Sequence, residues 1–106
     1  MEDKKQKKRN QINIELPSEI AKGVYSNLAV ISHSNSEFVL DFIQVLPGTP
    51  KAEVRSRVIM TPQHARRLLK ALSDNIDKFE QANGEILINE REMQLPPTFG
   101  GPTGFA

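Results

Sequence analysis

The sequence has no cysteine, no tryptophan and a single tyrosine. Without cysteine there is no disulfide framework, no thiolate zinc site and no cysteine nucleophile. No stretch approaches the ~20 apolar residues of a transmembrane helix. The N-terminus is charged but has no apolar run behind it, so no secretory signal is expected and the cytoplasm is the default compartment. Neither sign of charge dominates: 14 Lys and Arg against 13 Asp and Glu leave +1. That balance excludes a histone-like or strongly acidic protein. Gly48, in Pro47-Gly48-Thr49-Pro50, lacks the glycine partners and the following lysine of a phosphate-cradling loop. No cofactor is expected.

What is present fits one domain of 106 residues. A chain of this mass buries roughly two thirds of the surface it exposes when unfolded, so its core is thin. Three segments differ in composition. Residues 1–10 carry Lys4, Lys5, Lys7, Lys8 and Arg9 against Glu2 and Asp3. This is a basic tail with nothing to bury, expected to be disordered. Residues 91–106 are rich in Pro and Gly and are likewise expected to lack regular structure. The folded unit is residues 11–90, and it is net acidic.

Strand patterns dominate the first half of that unit. Residues 12–16, Ile-Asn-Ile-Glu-Leu, alternate strictly and end at Pro17. Residues 17–23 suggest one helical turn, with Ser18 able to cap and Gly23 to close. Strands follow over 24–33 and 37–46, joined by Ser34-Asn35-Ser36, whose side chains favour a turn. A further strand spans 53–60, and 85–89 has the pattern of a last short one. Thr61 then suits an N-cap, Pro62 the first helical position and Gly84 a C-terminal stop. Between them Ala65, Leu68, Leu69, Leu72, Ile76 and Phe79 form one apolar stripe, predicting a helix over 62–83. The expected fold is α+β: a four-stranded antiparallel meander with one long C-terminal helix packed on one face.

Pairing Ser32 with Phe38 sorts the strands into two faces. Leu28 and Val30 join Phe38, Leu40, Phe42, Val58 and Met60 on the first, which the helix should cover. The second carries Tyr25, Ile31, Val39, Ile43, Val45 and Ile59, too apolar for a solvated face. A second copy is the commonest cover for such a surface. These six residues are therefore the expected homodimer interface, with Ile86 and Ile88 as contributors. The helix adds a second argument. Arg66, Arg67 and Lys70 lie toward its N-terminal end, and Asp74, Asp77 and Glu80 toward its C-terminal end, against the macrodipole. An antiparallel neighbouring helix would compensate them.

Catalytic chemistry has little footing. His33 lies near Ser32, Ser34, Ser36, Glu37 and Asp41, the residue types of a Ser–His–carboxylate site. No nucleophile-elbow pattern accompanies them, and a hydrogen-bonded turn explains the serines. No His and carboxylate spacing matches a metal site. Asp41, placed mid-strand between Leu40 and Phe42, is expected to pair diagonally with Arg57, contributing ~0.2–1 kcal/mol if exposed. A polar pocket of Asp41, Arg55 and Arg57 is the functional alternative. Nucleic-acid binding would use Lys4, Lys5, Lys7, Lys8 and Arg9 together with Arg55 and Arg57. The strand aromatics Phe38 and Phe42 do not form a second-face stacking platform for it. In the C-terminal segment, Leu95-Pro96-Pro97-Thr98-Phe99 has the form of a pre-extended docking motif.

The runs Gly23-Val24-Tyr25-Ser26-Asn27-Leu28-Ala29 and Ser36-Glu37-Phe38-Val39-Leu40-Asp41-Phe42, with residues 57–62 and the helix from Ala65 to Leu72, resemble a family of small bacterial proteins. That family is known only as a numbered domain of unknown function. The resemblance covers about residues 11–88, and Tyr25-Ser26-Asn27 and Glu37 to Phe42 are its specific parts. It implies an antiparallel sheet, a C-terminal helix and a dimer, and it carries no activity, catalytic residue or ligand. The expected function is a homodimeric binding or scaffold protein without catalysis. Nucleic-acid binding is the alternative.

Overall fold

A computed structural model describes residues 11–88 and 103–105. The elements run α1 (Ser18–Ala21), β1 (Leu28–His33), β2 (Phe38–Gln44), β3 (Glu53–Met60), α2 (Pro62–Asn83) and β4 (Thr103–Phe105). The protein is α+β, with an antiparallel sheet and one long C-terminal helix. The body of the sheet is a three-stranded meander, not the four-stranded one expected. Among the described residues the only addition is β4, a three-residue strand antiparallel to β1, which makes the order β3-β2-β1-β4. It comes from the segment expected to lack regular structure.

Neither outlying strand of the sequence reading forms. Residues 12–16 and 85–88 have no regular structure, and Ile12, Ile14, Leu87 and Ile88 are exposed. Alternation makes a segment able to be a strand. A ladder also needs a neighbouring edge, and β4 takes the one beside β1. The helical turn is present as α1, but its N-cap is Pro17 and Ser18 makes no cap bond.

The β1–β2 hairpin pairs one residue out of the expected register. Phe38 lies opposite His33, and Val39 opposite Ser32. The turn is held by the Ser34 hydroxyl, which accepts the N–H groups of Ser36 and Glu37 at 3.2 Å each. Ser34 N–H also donates to Glu37 O at 2.9 Å. A one-residue slip moves every side chain of a strand to the other face. Leu28 and Val30 therefore lie beside Ile43 and Asp41, and Ile31 beside Leu40. The core is correspondingly small: Leu28, Val30 and Ile43 form one buried cluster with Val45 against it, and Leu40 is buried on the opposite face.

Asn27 locks the open end of this hairpin. Its carboxamide donates to Val45 O at 2.9 Å and accepts Val45 N–H at 2.7 Å, so a side chain copies a peptide group. Its own N–H donates to Ile43 O at 3.0 Å. Ser26 Oγ donates to Leu28 O at 2.9 Å. Asn27→Ala leaves Val45 without both partners. It is expected to cost about 1 kcal/mol, because both groups can turn to water at this exposed end. The measurement is the urea midpoint of the variant against wild type, and an unchanged midpoint would refute the lock.

The helix spans Pro62–Asn83 as its signals predict. Thr61 Oγ1 accepts His64 N–H at 3.2 Å, and Gly84 closes the end at φ 88°. It does not cover the sheet, however, for none of its residues is buried. The link from β3 is the single residue Thr61. So short a connection leaves no loop to fold the helix back across the strands it follows.

Candidate interaction surface

The Asp41 face of the sheet holds one charged pair among apolar neighbours. Asp41 stands between Val30 on β1 and Arg57 on β3, directly opposite each and not diagonal to Arg57. It is 5% exposed. Arg57 Nε donates to Oδ1 at 2.6 Å and Nη2 to Oδ2 at 2.8 Å, a two-pronged fit. These hydrogen bonds hold the Asp41 carboxyl below the usual carboxylate range. Burial opposes the shift, and the Arg57 charge reinforces it. Arg55 does not join them. The register shift between Phe42 and Ile43 leaves Arg55 without an opposite residue on β2, and among the described residues it reaches only Glu53, at 3.9 Å. The expected pocket of Asp41, Arg55 and Arg57 is thus an ion pair with a bulge beside it.

The Ser–His–carboxylate grouping is not assembled. His33 pairs with Phe38 and stacks on its ring, centroids 5.3 Å apart. Strand alternation places His33 on one face and Asp41 on the other. The Ser34 and Ser36 hydroxyls are occupied with the turn. Among the described residues no group of three or more His, Asp or Glu can hold a metal ion. Also among them, no helix is long and apolar enough to cross a membrane.

The six expected interface residues are not one surface. Val39, Ile43, Val45 and Ile59 share the Asp41 face, whereas Ile31 lies on the other and Tyr25 precedes β1. Ile43 is 2% exposed, the most buried core residue, and so offers no surface. The slip in register accounts for Ile31, which was sorted with the wrong partners. Of the nucleic-acid residues, Arg57 is committed to Asp41 and Arg55 lies at the bulge. Lys4, Lys5, Lys7, Lys8 and Arg9 lie outside the described residues, as does the Leu95 to Phe99 motif.

A further apolar surface is on α2. Leu69, Leu72 and Phe79 are 59%, 55% and 52% exposed, with Ile76 and Leu68 beside them. Near the C-terminal end, Asn75, Ile76, Phe79 and Ile86 line an apolar groove. Ile86 is held there by its N–H, which donates to Glu80 Oε2 at 2.9 Å. Sequence reasoning found the stripe but assigned it to the sheet. It named Ile86 as an interface contributor but on the sheet, and the role of Asn27 escaped it. The signal for Asn27 was a short polar pair, Ser26-Asn27, directly before a strand.

Residues 1–88 match the family described as protein of unknown function (DUF3467). The chain belongs to that family. The match takes in the Asn27 lock, the Asp41–Arg57 pair and all of α2, and it ends before β4. No curated protein and no solved structure matches the chain.

Proposed function

We propose that this family member is a small homodimeric binding or scaffold protein that performs no chemistry of its own. The observation supporting this is the exposed stripe of α2, which its own sheet leaves uncovered. Contiguous apolar surface of this kind marks an association site. Burying such side chains at a contact contributes roughly 1.5–3 kcal/mol each when burial is complete, which would supplement a four-residue apolar core. The interface proposed here is therefore centred on the helix, with exposed Ile59 of the sheet at most a margin.

Light scattering on wild type and on Leu72→Lys tests the reading. Wild type is expected at twice the chain mass and the variant at the chain mass, with the helical signal retained. A monomeric wild type would overturn the proposal. Nucleic-acid binding is the weaker reading, since the Arg57 guanidinium is already engaged by Asp41.

A further inference from the structure

The stripe of α2 has a spacing of its own. Ala65, Leu69, Leu72, Ile76, Phe79 and Asn83 follow at alternating intervals of four and three residues. That is the 3.5-residue repeat of a two-helix seam. With Leu69, Ile76 and Asn83 at a and Ala65, Leu72 and Phe79 at d, the flanking e positions are Arg66, Ser73 and Glu80. The g positions are Leu68, Asn75 and Ala82.

Resting on the dimer reading above, we propose that α2 pairs antiparallel with α2 of a second copy of this chain. The two-fold axis passes beside Ser73 and Asn75. In that register Leu72 meets the partner's Ile76, and Leu69 meets the partner's Phe79. The groove of Asn75, Ile76, Phe79 and Ile86 receives the partner's Leu69. In an antiparallel pair, e positions face e positions. Arg66 then meets the partner's Glu80, and symmetry repeats the contact at the other end. Charge selects this direction. A parallel pair would set the e positions against the uncharged g positions Leu68, Asn75 and Ala82, which leaves Arg66 and Glu80 without partners. Only the antiparallel pair brings Arg66 against Glu80, while Arg67, Lys70, Asp74 and Asp77 lie at b and f, away from the seam.

The chain has no cysteine, so single introduced thiols report on the pairing. Ser73→Cys places two thiols beside the axis, and a short thiol crosslinker is expected to convert most of the protein to covalent dimer. Ala65→Cys places them about 27 Å apart along the helices, at 1.5 Å per residue, and should give none. Light scattering accompanies both. Crosslinking of the Ala65→Cys variant instead, or of both variants, would overturn the antiparallel register while leaving the dimer. A dimer that crosslinks in neither variant would overturn the helix seam alone, and a monomer would overturn both this inference and the function proposed above. Arg66→Glu supplies an independent arm. It should weaken dimerisation roughly tenfold at low salt, and less at high salt, where exposed charges are screened. Equal weakening at both salt concentrations would refute the Arg66–Glu80 contact.

Discussion

Ile43→Ala is expected to lower stability by about 2–5 kcal/mol, the usual loss for an aliphatic residue truncated in a core. Ile43 is 2% exposed and, among the described residues, shares its cluster with Leu28 and Val30, with partly buried Val45 packed against them. Small domains have total stabilities of about 5–15 kcal/mol, and this one has a thin core, so the variant should be near the limit of folding at 37 °C. Ile59→Ala is the matched control. It lies on the same face of the sheet but is 56% exposed, and its loss should stay under about 1 kcal/mol. Urea denaturation of both variants checks the pair. Equal losses would mean that Ile59 is covered in solution, and would move the proposed dimer contact back onto the sheet.

Asp41→Asn should lower the melting temperature by about 4–8 °C at neutral pH, the shift that a loss of about 1 kcal/mol brings in a domain of this size. The effect is modest because the Arg57 side chain is 62% exposed, and solvent screens the pair. Its pH dependence is the sharper test. The folded-state pKa of Asp41 lies below its unfolded value because Arg57 donates two hydrogen bonds to it. Between the two values the unfolded chain binds more protons, so stability rises with pH there. The contribution is fully present above about pH 4, the unfolded carboxylate value. It is lost as the pH falls through the lower, folded one. The gap between wild type and Asp41→Asn should therefore be widest near neutrality and close in acid. A gap that is the same at pH 3 and pH 7 would show that packing, and not the ion pair, accounts for the loss.

The candidate site was partly legible from the chain alone. Asp41 and Arg57 were paired correctly because a charge in mid-strand needs a partner across the ladder, although the contact proved direct. The helix stripe was found, but its cover was not, since periodicity says that a face needs burial and is silent about what buries it. The β1–β2 register was missed because both faces of this sheet are part apolar. With Ile31 available to one side and Leu28 and Val30 to the other, alternation fits two registers almost equally well.

Local chemistry, then, was determined by the sequence itself. Thr61, Pro62 and Gly84 bound the helix, and Ser34 makes its turn, because each acts on backbone within a few residues of itself. Only the tertiary structure decided the long-range matters. The Ser34 turn and the Asn27 carboxamide together set which residues of β1 face the core. The one-residue link at Thr61 sends α2 away from the sheet. These outcomes depend on groups that meet from distant parts of the chain, as Asn27 and Val45 do, and such geometry has no signature in spacing or composition.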